Sequence, residues 1–106
     1  MLRSVEQTSA TENGTDPRVA RLHAAVSRLR RELAGHPAEF PDRAIAEDEL
    51  AALAAMAASG VPEVSRMRRS LLLIVGSIGS VSALGAALMG VRSAVDLFGE
   101  LPGGPR

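Results

Sequence analysis

From Leu71 to Val91 the chain carries no charged side chain, while Arg66, Arg68 and Arg69 stand before this run and Arg92 directly after it. As a helix the run would be about 31 Å long, close to one hydrocarbon thickness. Such a segment has to be buried, either in lipid or against protein. In lipid, the arginines ahead of it would hold the N-terminus in the cytoplasm and leave a short tail outside. Two features favour protein instead. The roughly ten Leu, Ile and Val side chains are worth only about −3 to −6 kcal/mol of insertion energy, and interspersed Gly and Ser offset that sum. The large apolar residues Val64, Met67, Leu71, Ile74, Ile78, Val81, Leu84, Leu88, Val91, Val95 and Phe98 also step by three or four straight past Arg69 and Arg92. A membrane span has no reason to continue its stripe beyond the charged boundary, whereas a helix packed on protein does.

Two amphipathic segments precede the run. Asp16 and Pro17 form a helix start, an N-cap followed by a proline whose missing N–H costs nothing there. Val19, Leu22, Val26, Leu29 and Leu33 then follow at spacings of one helical face, and Gly35 and Pro37 end the segment. This predicts a helix over residues 17–34. A second is predicted over 42–59, its apolar face formed by Ile45, Ala46, Leu50, Leu53, Met56 and Ala57 and its end set by Gly60. The short connection between the two predicts an antiparallel hairpin. Arg18, Arg21, Arg28, Arg30 and Arg31 on the first helix would then face Glu47, Asp48 and Glu49 on the second. A third helix is predicted over 62–98, with Gly85 as the point where it can break. Residues 1–15 and 99–106 are polar or rich in Gly and Pro and read as disordered tails. No apolar stretch of the kind found in a signal peptide follows Arg3. The expected fold is all-α, one helical domain over 16–98 made of a hairpin and a long hydrophobic C-terminal helix.

Motifs for chemistry are sparse. The chain has no Cys and no Lys, which removes thiolate ligands and nucleophiles, phosphate-loop lysines and Schiff-base chemistry. With Phe40 and Phe98 as the only aromatics, nothing suggests base stacking, and no nucleic-acid partner is expected. The glycines of Gly76 to Gly85 fit neither a dinucleotide fingerprint nor a phosphate loop, and no strand precedes them. Ser77, Ser80 and Ser82 lack a nucleophile elbow, and a mid-helix serine ordinarily bonds back to its own helix. His23 and His36, even with Glu47 or Asp48, match no metal-ligand spacing. Consecutive Glu47, Asp48 and Glu49 point different ways on a helix and make a poor acid/base pair. No catalytic, cofactor-binding or metal residue is therefore assigned, and no cofactor is expected.

The segments DPRVARL (Asp16 to Leu22), LRRELA (Leu29 to Ala34), FPDRAIAEDELAALA (Phe40 to Ala54), RRSLLLIVGSIGSVSAL (Arg68 to Leu84) and VDLFG (Val95 to Gly99) resemble a family of small actinobacterial proteins of unknown function. The resemblance covers nearly everything between the tails. It implies an organism type, and it transfers no activity or residue role.

What remains is a candidate association face. Gly76, Ser80, Ala83, Ala87 and Gly90 fall at four-three-four-three spacing, where small side chains let another backbone come close. The expected function is a non-enzymatic helical interaction or oligomerisation module, an adaptor or regulatory accessory associating through residues 71–91. Self-association or a protein partner is expected, in the cytoplasm. The alternative is a single-pass, C-terminally anchored protein of the cytoplasmic membrane, spanning it through Leu71 to Val91 with its N-terminus inside.

Overall fold

The computed structural model describes residues 16–37 and 41–99. It contains α1 (Pro17–Ala34), α2 (Arg43–Ser59), α3 (Val64–Ile78), a 3-10 turn (Ser82–Leu84) and α4 (Gly85–Gly99), with no strand among the described residues. The fold is all-α, as the periodicity requires. The tails read at 1–15 and 99–106 lie outside the described residues except for Gly99, which closes α4.

Local chemistry sets the ends of α1 and α2. The Asp16 carboxylate accepts the Arg18 backbone N–H at 2.9 Å and its side-chain Nη2–H at 2.7 Å, with Pro17 following the cap. These hydrogen bonds from Arg18 hold the Asp16 carboxyl below its ordinary pKa and raise that of the Arg18 guanidinium. Gly60 ends α2 at φ 80°, in the left-handed region that glycine enters without a Cβ penalty. Arg43, the first residue of α2, turns back onto α1. Its guanidinium donates to the carbonyl of His36 at 3.1 Å and to that of Leu33, capping the C-terminal end of α1. This contact ties the hairpin together at its turn.

The segment from 62 to 98 departs from the single helix expected there. It is two helices, and the chain turns at Gly79 and Ser80, ahead of Gly85. Gly79 donates its N–H to the Val75 carbonyl at 2.8 Å, and Val81 is extended at φ −87°, ψ 99°. A Cβ on Gly79 would overlap the Val75 carbonyl oxygen, so glycine is required by close approach. Gly85 sits in ordinary helical geometry at φ −58°, ψ −45°. The division also removes the expected span from Leu71 to Val91: among the described residues, no helix is long and apolar enough to cross a membrane.

Each helix packs on its neighbours in the chain, and α4 returns to pack on α1. Short connections make consecutive helices antiparallel, so the four close a ring around one core. That core takes Leu22, Val26, Leu29 and Leu33 from α1 and Ala46, Leu50, Leu53 and Ala57 from α2. Met67, Ile74 and Ile78 of α3 and Leu84, Ala87, Val91, Val95 and Phe98 of α4 complete it. The long apolar stripe is therefore one core stripe, preserved across the turn because Ile78, Val81 and Leu84 keep facing inward. The expected face of α2 is narrower than its sequence suggested, with Met56 half-buried and Ile45 44% exposed.

Candidate association surface

The five small residues of the expected face do not share one side of one helix. Gly76 lies exposed on α3, Ser80 in the turn and Ala83 in the 3-10 segment, also exposed. Ala87 is buried and Gly90 half-buried on α4, where they face Ala24 and Ala25 of α1. With Arg21 and Arg28 they line a shallow groove of about 330 Å³ between α1 and α4, and a Cβ at Gly90 would meet no atom within 4 Å. The physical reason for the split is the turn at Gly79, which reverses the chain between Gly76 and Ala87.

A different surface emerges on α3. The exposed large apolar side chains among the described residues are Ile45, Val61, Leu72, Leu73, Val75 and Met89. Helical geometry places Leu72, Leu73 and Val75 on the outer half of α3, with Ile45 of α2 beside them. The Ser70 hydroxyl donates to the Glu49 carboxylate of α2 at 2.8 Å, so the flank of α3 carrying Ser70 and Leu73 faces α2. Ile45 lies one turn before Glu49, and the antiparallel course brings it level with Leu73. On the opposite flank, a Cβ at Gly99 of α4 would collide with the Arg68 guanidinium, so this flank faces α4. Leu72 and Val75 follow Arg68 at spacings of four and three and share its flank. Met89 lies about 80° around α4 from Gly99, on the outer side of that helix and away from this flank. Gly76 sits between Leu72 and Leu73 on the outermost line of α3. Ile45, Leu72, Leu73 and Val75 together expose on the order of 300 Å² of apolar surface, at the low end of the ~300–600 Å² range where a monomer's largest patch is often functional.

No charge falls within residues 71–91, and the charged groups nearest this part of α3 are Arg68 and Arg69 before it and Glu49 on α2. The sequence signal for this surface was present in the uncharged run, but the run alone does not say which of its residues face outward. Leu72, Leu73 and Val75 lie off the periodic stripe, which carries no signal for them; the structure gives 71% exposure to Leu72.

The residues weighed for chemistry stay apart. Ser77 donates to the Leu73 carbonyl at 2.6 Å, the back-bond expected of a mid-helix serine. His23 is exposed on α1, while His36 follows Gly35 and offers its carbonyl to Arg43. Glu47 pairs with Arg43 at 3.1 Å and Glu49 accepts from Ser70, so neighbouring carboxylates of α2 point to different partners. Among the described residues no group of three His, Cys, Asp or Glu could hold a metal ion. The expected pairing of Arg28 with α2 gives way to a bond to Glu32 within α1 at 3.0 Å, since a partner four residues along the same helix is in reach without crossing a seam. Arg18 stacks over the Phe98 ring, 4.8 Å from its centroid, and joins the start of α1 to the end of α4. Nothing in the sequence paired those two residues.

No curated protein and no solved structure matches this chain. A family model does match, over residues 11–99, so the match takes in all four helices and the α3 surface. The chain thus belongs to DUF5955, a family of unknown function.

Proposed function

We propose that this protein is a non-enzymatic helical interaction module, an adaptor or accessory that docks a protein on the outer face of α3. One observation carries the reading: the exposed side chains of Ile45, Leu72, Leu73 and Val75 cluster around α3, within and beside a run that lacks any charge. Water gains from covering such a patch, at about 25 cal/mol per Å² of apolar area removed. The helical ring beneath it provides a rigid base, since the inner side of the same helix is anchored in the core by Met67, Ile74 and Ile78.

The reading is tested by placing a photo-crosslinking residue at position 72, on the α3 face, and separately at position 51, exposed on α2 away from it. Irradiation in cells should give protein adducts from position 72 and not from position 51. Equal adducts at both positions, or none at either, would overturn the docking face.

A further inference from the structure

We infer that the α3–α4 hairpin is one of two conformations open to residues 64–99. Contact with a phospholipid bilayer straightens it into one helix that spans the bilayer through Leu71 to Val91, independently of any docked protein. Three observations carry this. The first is that the bundle covers only one side of the uncharged run. Ile74, Ile78, Leu84, Ala87 and Val91 face the core, while Leu72, Leu73, Val75 and Met89 are exposed and no charge lies among them. A helix apolar on every side suits lipid, which covers all of its sides at once.

The second is how little separates the hairpin from a straight helix. Gly79 is helical at φ −62°, ψ −23°, and so is Gly85 at φ −58°, ψ −45°. Between them Val81 departs, at φ −87°, ψ 99°, and a 3-10 turn follows. Backbone bonds hold this turn, from the Val81 N–H to the Ile78 carbonyl and from the Leu84 N–H to the Val81 carbonyl, both at 3.0 Å. Among the described residues no side-chain hydrogen bond or ion pair joins α3 to α4. A change of backbone angles centred on Val81 therefore converts one form into the other.

The third is the match to a bilayer. As one helix, residues 71–91 are about 31 Å long, one hydrocarbon thickness. Arg66, Arg68 and Arg69 before the run and Arg92 after it are exposed, within reach of phosphates on the two surfaces. Insertion of such a run and folding of a domain this small are free energies of the same order, so a bilayer can decide between the two forms. The three arginines hold α1 and α2 on the side of entry. There the apolar stripes of α1 and α2, with arginines on the polar face of α1, lie on the bilayer surface as amphipathic helices do.

Single-cysteine labelling of the full chain tests this, since the chain has no cysteine of its own. Ser65→Cys, Ser80→Cys and Ser93→Cys replace exposed residues before, inside and after the run. Each protein is mixed with sealed vesicles of phosphatidylcholine and phosphatidylglycerol and treated with a membrane-impermeant maleimide. Ser65→Cys should stay reactive, and Ser80→Cys should lose reactivity by at least about tenfold in the dry interior. Ser93→Cys should react only after detergent is added. Ala83→Arg, at a position exposed in the bundle and near the middle of the span, should raise the lipid needed for half-insertion by about 100-fold. Gly79→Ala should lower it by about tenfold, because alanine fits the straight helix and not the turn. Circular dichroism in buffer checks the fold of every variant. Equal labelling of all three cysteines with and without vesicles overturns the insertion. Protection at Ser80→Cys with Ser93→Cys still reactive means that the hairpin enters unopened, and overturns the straightening. An Ala83→Arg protein that inserts as readily as wild type, or a Gly79→Ala protein that needs as much lipid, overturns it too.

Discussion

Two glycines six residues apart should respond to alanine with opposite signs, because the chain turns at one and runs helically through the other. At Gly85 the backbone is helical and a Cβ meets nothing within 4 Å. Gly85→Ala therefore removes unfolded-state freedom without strain and should stabilise by about 0.4–1 kcal/mol. At Gly79 an added Cβ would overlap the Val75 carbonyl oxygen and lie 3.4 Å from Val75 Cγ1. The oxygen cannot swing away, since it accepts the Gly79 N–H that ends α3 at 2.8 Å. Gly79→Ala must shift backbone at the turn joining α3 to α4, at a cost of about 1–3 kcal/mol. Thermal and urea unfolding of both variants at low micromolar concentration reads the difference, at about 4–8 °C in Tm for each kcal/mol in a domain of this size. If residues 62–98 formed one continuous helix, both substitutions would stabilise, because alanine exceeds glycine by about 0.8–1 kcal/mol in a helix interior. A Gly79→Ala protein more stable than wild type would refute the hairpin turn.

Leu29 is fully buried, and Leu29→Ala should cost about 2–5 kcal/mol in chemical denaturation, with a loss under about half a kcal/mol contradicting its place in the core. Arg43→Met keeps much of the stem but removes the donors to the Leu33 and His36 carbonyls; it should cost about 1.5–3 kcal/mol, and an unchanged urea midpoint would mean that the α1–α2 turn does not depend on this cap. For Asp16 the folded pKa lies below its ordinary value of 3.8, chiefly through the Arg18 side-chain hydrogen bond. Its contribution is therefore complete above the unfolded pKa and is lost as pH falls through the lower folded value. Asp16→Asn keeps a capping side chain and should make Tm fall less steeply on acidification; parallel pH profiles for the two proteins would show that the Asp16 charge does not contribute.

The sequence by itself determined the course of α1 and most of the side chains that face inward. Asp16 with Pro17, and Gly35 after Ala34, carry their own start and stop chemistry, and α1 runs from Pro17 to Ala34 as those signals dictate. Spacing by three and four along Val19 to Leu33, and along Val64 to Phe98, selected the inward residues because helical periodicity is a local property. The same periodicity could not show the turn at Gly79. Ile78, Val81 and Leu84 step by three whether the backbone continues as a helix or turns through an extended residue and a 3-10 segment, so the pattern is equal in both. What decides between them is closure of the ring: a folded pair lets α4 cover α1, as one straight helix over 62–98 would not. Tertiary structure likewise moved Ala87 and Gly90 into the seam with α1 and turned Leu72, Leu73 and Val75 outward around Gly76. Composition fixes that a surplus of apolar side chains exists in residues 71–91, but which of them remain uncovered depends on where neighbouring helices lie, and that is set by contacts far apart in the chain.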